Sequence, residues 1–279
     1  MIIALFANPS KLYAKNLALG VAEFLSHQGV SVVAEKETAE ALQLRALEEL
    51  APDQIHCIIS MGGDGTILQI LHKYPLLTAP ILGINLGHLG FMADVPISDL
   101  YPSLQALLAG DYQVEKRLMI EGETPQKEHC FAANEIVIHR GSNPCLIEIG
   151  IHVDNVYVNT FEADGMILST PNGSTAYSLA AGGPILSPNL EALVLTPISP
   201  HTISNRPIVL TADKEIQIQY LSNYAPIEVR ADGLEHFSLK TGEVFRIFRS
   251  ERRFSLITLL RRDYFSTLRT KLGWAGKLR

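Results

Sequence analysis

The pattern of predicted strands and helices changes once along this chain, near residue 110, and this change limits the folds open to it. Before that point, short apolar runs alternate with patterns of helical spacing. The predicted strands are 2–7, 30–35, 55–60 and 79–85, and the predicted helices are 11–27, 38–50, 66–73 and 98–110. Strands that alternate with helices in this way form βαβ units, so we expect an α/β domain with a mostly parallel, Rossmann-like sheet.

After that point the sequence consists of short strand runs separated by turn residues, which predicts an all-β, sandwich-like domain. One helix, at 174–183, interrupts it. We therefore expect an α/β domain at 1–110, a β-rich domain at 111–255, and a C-terminal helix and tail at 256–279 that pack back on the first domain. Because domain interfaces are favoured ligand sites, we expect the active site in the cleft between the domains.

The composition excludes several classes of protein. Hydrophobic residues make up 47% of the chain and charged residues 19%, which is normal for a soluble globular protein. The net charge of −6 argues against a nucleic-acid partner, since no basic field gathers phosphates. No window is a continuous apolar span, so we expect no membrane partner. Three widely spaced cysteines, Cys57, Cys130 and Cys145, indicate neither a disulfide framework nor a zinc site and favour a cytoplasmic protein.

The stretch "SMGGDGTI" at 60–67 joins a predicted buried strand to a predicted helix. Gly62, Gly63 and Gly65 lack the Cβ atoms that would block a ligand, and a helix start offers N–H groups to an anion. The stretch has neither the Gly-Lys-Ser/Thr of a Walker loop nor the spacing of a dinucleotide fingerprint. It is either a phosphate-handling loop or a tight turn in which glycines serve only geometry. In the first case Asp64, a carboxylate beside a polyanion, needs a function of its own.

Two segments of the β-rich region are candidate nucleoside sites. Asn134 and Glu135 open a predicted strand, and such a pair can bind a ribose, because Glu accepts from hydroxyls while Asn donates and accepts. Residues 165–190 form a long uncharged run rich in Ser, Thr, Gly and Pro. Its hydroxyls, its backbone groups and Tyr177 can form a neutral pocket for a base and its sugar. The Asp164-Gly165 pair before it predicts a turn.

Three further features each have an ordinary structural explanation. The loop "INLGHLGFMA" at 84–93 follows a predicted strand, and it either lines one site with the glycine loop or encloses a buried Phe91. His201 by itself is more typical of a hydrogen-bonded structural histidine than of a catalyst. Asp232 and Gly233 predict a hairpin turn.

Taken in order, these motifs resemble those of the NAD kinase family over most of the chain. The matching stretches are "GGDGT" at 62–66, "NLGHLGF" at 85–91, "NE" at 134–135, "DGMILSTPNGSTAYSLAAGGP" at 164–184, "PHTISNRPIVL" at 200–210 and "LRTKLGWAGKLR" at 268–279. The resemblance, to bacterial-type ATP- or polyphosphate-dependent enzymes, implies transfer of a phosphate from ATP to the 2′-hydroxyl of the adenosine ribose of NAD, giving NADP. It also implies a divalent cation, usually Mg²⁺, and a homodimer or homotetramer, but it assigns no metal ligand.

By position, the resemblance implies that Asp64 is the proton acceptor. The dinucleotide contacts that it implies are Asp64, Gly65, Asn134, Glu135, Asp164, Thr175, Ala176, Tyr177 and Ser178. A wider set of candidate site residues comprises Gly62, Gly63, Phe91, Leu179, Ala180, Ser199, His201 and Asp232. Glu162, Cys145 and Leu234 depart from side chains that are frequent in the family, and these departures bear on the choice between NAD and NADH.

Two rival functions stay open. A lipid or sugar kinase would share the glycine loop, but it would not need the uncharged run or the Asn-Glu pair. A dinucleotide sensor would bind NAD(H) without turnover, but it would gain nothing from Asp64 beside phosphates.

Overall fold

A computed structural model describes residues 1–7, 13–202, 206–260 and 263–274. The strands are β1 Ile2–Ala7, β2 Ser31–Ala34, β3 Arg45–Ala46, β4 Cys57–Gly62, β5 Ile81–Asn85, β6 Val95–Pro96, β7 Tyr112–Glu123, β8 His129–Ala132, β9 Glu135–His139, β10 Ile147–Val153, β11 Val156–Ala163, β12 Gly165–Ser169, β13 Ala192–Ile198, β14 Ile208–Thr211, β15 Ile216–Tyr220, β16 Ile227–Ala231, β17 Glu235–Leu239 and β18 Val244–Leu259. The α-helices are α1 Ala14–His27, α2 Lys36–Leu42, α3 Asp64–Lys73, α4 Leu100–Ala109, α5 Tyr177–Ala180 and α6 Tyr264–Leu272.

The described residues form two compact units, one from Met1–Lys116 with Phe254–Arg279 and the other from Arg117–Arg253. In the first unit, β3, β2, β1, β4 and β5 lie side by side and pair in parallel. Every residue of β4 and β5 is buried, as in parallel strands with both faces covered. The α/β domain with a mostly parallel sheet, predicted from the sequence, is confirmed.

The order of these strands reverses between β1 and β4, because β2 and β3 lie on one side of β1 while β4 and β5 lie on the other. In open α/β sheets, ligands bind outside the carboxyl ends of the strands at such a reversal. The glycine loop leaves β4 at this position. The topology of the first unit therefore puts the loop where a ligand site is expected.

The second unit contains two antiparallel sheets. One has the order β14, β13, β12, β9, β16, β17, and the other contains β11, β10, β15 and β18, with β7 paired to β18 and β8. In β15 the buried side chains Ile216, Ile218 and Tyr220 alternate with half-buried glutamines, the period of a strand with one face on a core. Both sheets contribute to a single core, for example Ile149 from one and Ile136 from the other. The predicted antiparallel β domain is confirmed.

Asp164 alone carries the chain from one of these sheets to the other. β11 ends at Ala163 in the first sheet, and β12 begins at Gly165 in the second. Glycine is required at 165, since a Cβ would lie 2.2 Å from the carbonyl oxygen of Ile138. The change of chain direction predicted at the Asp-Gly pair is therefore a bend that carries the chain between the two sheets.

Some predicted helix boundaries are wrong. The helix expected at 38–50 begins at Lys36 and ends at Leu42. Gln43 ends the helix because it adopts a left-handed conformation with φ of 56°. The helix expected at 174–183 is a 3₁₀ turn, Gly173–Thr175, followed by the four residues of α5.

The start of α4 also differs from its prediction at residue 98, because Ser98 lies in a 3₁₀ turn, Ile97–Asp99, and the helix begins at Leu100. Its end at Gly110, with φ of 79°, agrees with the prediction. The predicted helix start at residues 11 and 12, and residues 203–205 and 275–279 of the matching stretches, lie outside the described part of the chain. Within that part, no helix is both long and apolar enough to cross a membrane.

Candidate active site

Asp64 is the first residue of α3, and one residue, Gly63, separates it from β4. The helix begins two residues earlier than predicted, so the carboxylate lies on its first turn. Gly63, before it, is extended, with φ of −141° and ψ of −172°. The N-terminus of a helix carries a partial positive charge, which stabilises an anion there.

The three glycines of the loop have different roles. At Gly62 a Cβ would lie 2.1 Å from the Thr66 hydroxyl oxygen, so packing requires glycine. At Gly63 and Gly65 a Cβ would meet nothing within 4 Å, and neither residue has a positive φ. The fold itself does not require glycine at those two positions, and the open space beside them would let a ligand approach the backbone. The geometry of the turn therefore explains why residue 62 is glycine, but it does not explain the glycines at 63 and 65.

The loop after β5 binds the carboxylate of Asp64. Oδ2 accepts a hydrogen bond from the N–H of Phe91 at 2.8 Å, and Oδ1 accepts from Met92 at 3.0 Å and Ala93 at 2.8 Å. At Gly90 a Cβ would lie 2.0 Å from Oδ1, so only glycine leaves room for the carboxylate. A carboxylate accepts roughly four hydrogen bonds, so three N–H donors leave one acceptor position, on Oδ2.

This contact joins the glycine loop to the loop after β5, for which the sequence left open either a shared site or the enclosure of Phe91. Asn85, the last residue of β5, fixes the second loop from within. Its amide nitrogen donates to the carbonyl oxygens of His88 and Ala93, the latter at 3.1 Å, and its oxygen accepts from Gly87 N–H at 2.7 Å. Phe91 is half-buried rather than enclosed.

In the second unit, the carboxylate of Asp232 binds the backbone of the Asn-Glu pair. It accepts N–H hydrogen bonds from Ala133 and Asn134, both at 2.8 Å, and from Glu135 at 3.1 Å. Asp232 and Gly233, with φ of 49° and 70°, form the hairpin turn predicted between β16 and β17. Asp232 thus both turns the chain and fixes the position of the pair, and the turn motif alone gave no sign of the second role.

Two residues of the uncharged run, Thr170 and Asn172, bind Asn134 and its neighbour Ala133. The amide of Asn172 donates to Asn134 Oδ1 at 2.6 Å. The Thr170 N–H donates to the Asn134 carbonyl at 2.8 Å, and its hydroxyl donates to the Ala133 carbonyl at 2.6 Å. At Gly173 a Cβ would lie 2.2 Å from the Asn134 carbonyl oxygen. The sequence did not single out Thr170 or Asn172, because partners this distant along the chain leave no local pattern.

A cavity of about 410 Å³ opens beside these residues. Its lining consists of Glu135, Val137, His139, Tyr177, Glu228, Arg230, Asp232 and Gly233. Val137 pairs with Arg230, and His139 with Glu228, where β9 and β16 lie side by side. These four residues were not predicted from the sequence. The alternation in "EIVIH" and "IEVRADG" is the signal that could have found them, since alternate residues of a strand share one face.

Glu135 is an unusual carboxyl group. Burial, and to a lesser extent the nearby carboxylate of Asp232, raise its pKa to about 8, while a hydrogen bond from the Tyr177 N–H acts in the opposite direction. Its Oε2 atom is buried and has no hydrogen-bond partner among the described residues. At neutral pH the group is therefore mainly a neutral acid, which can donate a hydrogen bond as well as accept one.

Other predicted site residues differ in how they are placed. Tyr177 is 40% exposed and lines the cavity. Ser178 is buried, and its hydroxyl bonds that of Thr196 at 2.9 Å, so it faces the core. Asp164 pairs with the guanidinium of Arg140 at 2.6 Å.

The remaining positions are less buried than Ser178. Thr175, Ala176 and Leu179 are half-buried, and Ala180 is exposed. Ser199 has a positive φ of 45°. The His201 ring lies 3.7 Å from the Glu162 carboxylate, and both side chains are exposed. Among the described residues, no three His, Cys, Asp or Glu side chains are grouped as a metal site would require.

The sequence matches two family profiles. The profile described as ATP-NAD kinase N-terminal domain matches residues 3–112, and that described as ATP-NAD kinase C-terminal domain matches residues 133–259. An NAD kinase from Protochlamydia amoebophila is 55% identical over 278 residues, which cover 100% of both chains. An NAD kinase from Geotalea daltonii is 38% identical over 281 residues, which cover 99% of both.

Two solved structures share the fold. A yeast NADH kinase complexed with NADH superposes with a TM-score of 0.89 at 24% identity, covering 100% of this chain and 89% of that one. An NAD kinase from Archaeoglobus fulgidus in complex with ATP superposes with a TM-score of 0.77 at 28% identity, covering 98% of this chain and 99% of that one. Since both profiles and full-length relatives agree, this chain belongs to the NAD kinase family.

Proposed function

We propose that this chain transfers the γ-phosphate of ATP to the 2′-hydroxyl of the adenosine ribose of NAD, giving NADP and ADP. The observation that carries the proposal is the carboxylate of Asp64, fixed by three backbone N–H groups beside two glycines that the fold does not need. A pure phosphate-binding loop gains nothing from a fixed carboxylate, whereas a kinase needs a group that accepts the proton of the attacking hydroxyl.

Phosphoryl transfer depends mainly on alignment and on neutralising charge. We assign the free acceptor position on Asp64 Oδ2 to the ribose hydroxyl. As the hydroxyl oxygen bonds to the γ-phosphorus, Oδ2 takes its proton and the bond from that phosphorus to the β,γ-bridging oxygen breaks, releasing ADP. The helix N-terminus at α3 offsets the repulsion between the carboxylate and the phosphates.

For the nucleoside we assign the cavity beside Glu135 and Tyr177. Asn134 Oδ1 is occupied by Asn172, so Asn134 would act as a donor through its NH₂ group. Glu135, as a neutral acid, would hydrogen-bond a ribose hydroxyl. Asp164, Thr175 and Ala176 stay in the proposed set of contacts, while the inward hydroxyl of Ser178 supports the pocket from behind.

The divalent cation, Mg²⁺ in our proposal, would enter with ATP. Mg²⁺ in kinases is usually bound by phosphates, waters and one or two carboxylates, so it does not require a three-residue cluster in the protein. When bound, it would neutralise charge on the phosphates. We further propose that the protein is cytoplasmic and acts as a homodimer or homotetramer.

Asp64→Asn tests the proton acceptor. We expect kcat to fall by roughly 10²–10⁴-fold, the usual contribution of a general base, while the affinity for NAD in isothermal titration changes little. The NH₂ group of the new asparagine would face the backbone N–H groups of residues 91–93, donor against donor, and this lowers the stability of the fold. The thermal midpoint is therefore measured in parallel. Asp53→Asn, at an exposed aspartate, is the matched control. Full turnover in the Asp64→Asn variant would make the assignment wrong.

To identify the substrate, the protein is incubated with ATP and either NAD, fructose 6-phosphate or a diacylglycerol, and the masses of the products are measured by mass spectrometry. We expect a phosphorylated product from NAD alone. Binding of NAD without any product would instead favour the dinucleotide sensor.

A further inference from the structure

The C-terminal helix α6 contacts the loop that binds Asp64. The ring of Tyr264 lies 6.0 Å from the ring of Phe91, centroid to centroid, and the Lys271 ammonium lies 4.8 Å from the centre of the same Phe91 ring. Tyr264 and Lys271 are seven residues apart, which puts them on one face of the helix. Phe91 therefore has two partners on α6, an aromatic ring and a cation.

α6 is itself fixed at both ends. The Asp263 side chain caps its start by accepting from Ser266 N–H at 2.9 Å, and Gly273, with φ of 63°, ends it. Thr267 and Leu268 are buried. The helix can therefore act as a fixed surface for Phe91.

Phe91 connects this helix to Asp64 through its own backbone. Its N–H donates to Asp64 Oδ2, the oxygen with the free acceptor position, and the next two N–H groups bind Oδ1. We propose that α6, through Tyr264 and Lys271, is a positioning element for Asp64: it fixes Phe91, and the backbone of residues 91–93 fixes the carboxylate. This inference rests on the proposed role of Asp64 as proton acceptor.

Kinetics of Tyr264→Ala test the proposal. A misplacement of about 1 Å can cost up to 10²-fold in rate, so we expect kcat to fall about 10-fold while KM for NAD changes less than 2-fold. Tyr264→Phe, which keeps the ring, should restore kcat. Lys271→Met should lower kcat about 2- to 3-fold, and its matched control, Arg269→Met, removes a charge from the exposed face of the same helix turn and should leave kcat unchanged.

A double-mutant cycle separates positioning from general stability. If Tyr264 acts through Asp64, then Tyr264→Ala should have no further effect on the residual turnover of Asp64→Asn. An equal loss in both backgrounds would overturn the proposal, as would unchanged kcat in Tyr264→Ala. A variant that loses NAD affinity and kcat together, with a matching fall in thermal midpoint, would also count against it.

The backbone amide resonances of residues 91–93 give a readout that does not depend on turnover. We expect Tyr264→Ala, but not Arg269→Met, to shift them in a heteronuclear NMR spectrum. Suppose that Asp64→Asn keeps full activity and that Tyr264→Ala shifts these resonances. The assignment of Asp64 as proton acceptor would then fail, but the contact from the helix to the carboxylate would stand. Unmoved resonances in Tyr264→Ala would overturn the contact itself.

Discussion

Glu135 is a single residue whose ionisation couples to the stability of the fold. Its folded-state pKa, about 8, lies above the ordinary value of 4.5, because burial and the nearby Asp232 carboxylate disfavour the charged form. A raised pKa contributes stability that is complete below about pH 4.5 and is lost as the pH rises through about 8. The burial of this carboxyl group therefore weakens the fold in mild alkali.

Glu135→Gln removes this titration and keeps the shape of the side chain. We expect the free energy of unfolding of the wild type to fall, relative to the variant, by up to a few kcal/mol as the pH rises from about 5 to about 8.5. Urea unfolding at a series of pH values measures the difference. Glu251→Gln, at an exposed carboxylate, is the control. Parallel pH curves for wild type and Glu135→Gln would contradict the prediction.

At the scale of the element, the first turn of α3 contains a glycine that the fold does not require. Gly65 lies in the first turn, is exposed, and has open space where a Cβ would be. Alanine suits a helix better than glycine by roughly 1 kcal/mol. A glycine at such a position is therefore explained better by the approach of a ligand than by stability.

Gly65→Ala should therefore make the protein more stable and less active. We expect a gain of about 0.5–1 kcal/mol in unfolding free energy, since the variant restricts the unfolded chain. The Cβ would obstruct a nucleotide bound as proposed, so we expect KM for ATP or NAD to rise. Gly110→Ala, at a φ of 79°, should instead destabilise without a specific change in KM. Normal kinetics in a stabilised Gly65→Ala would show that no ligand approaches this backbone.

Sequence periodicity predicted most elements but not where each of them ends. α2 stops at Leu42 because Gln43 is left-handed and β3 then pairs with β2, a tertiary contact that overrides the helical pattern continuing to residue 50. The helix start at Asp64 was missed because glycine in a helix is locally unfavourable. α5 is short because hydroxyls of the uncharged run bond each other and the backbone, as Ser174 does to the Pro171 carbonyl at 2.7 Å.

The candidate site was predictable only where residue type alone carries the chemistry. Asp64, Asn134 and Glu135 stand out in the sequence as polar groups at strand or helix ends. Arg230 and Thr170 do not, because their role comes from strand register and from partners distant along the chain. The three N–H bonds to Asp64 could not have been predicted at all, since backbone donors leave no trace in side-chain identity.

At the scale of the whole molecule, the described residues contain two separate hydrophobic cores. One holds residues of the parallel sheet and its helices, such as Leu25 and Ile59, and the other holds both sheets of the sandwich, such as Ile149 and Phe245. A unit that has its own hydrophobic core can open independently of the other unit in the native state. We therefore expect local stability to differ between the two units.

Matched cavity variants in the two cores test this expectation. Leu25→Ala and Ile149→Ala each remove a fully buried side chain and should cost about 2–5 kcal/mol. Peptide-resolved hydrogen exchange should show faster exchange of β1 and β4 in the first variant and of β10 and β12 in the second. Equal acceleration in both units from either variant would mean that the chain opens as one cooperative structure.

The absence of room at Gly90 has a genetic consequence. Because a Cβ there would lie 2.0 Å from the Asp64 carboxylate, positions 64 and 90 cannot vary independently. Any larger residue at 90 is tolerated only after the acid at 64 has been lost or has moved. A suppressor screen starting from Gly90→Ala should therefore recover either true revertants or second-site changes that let the Asp64 carboxylate move.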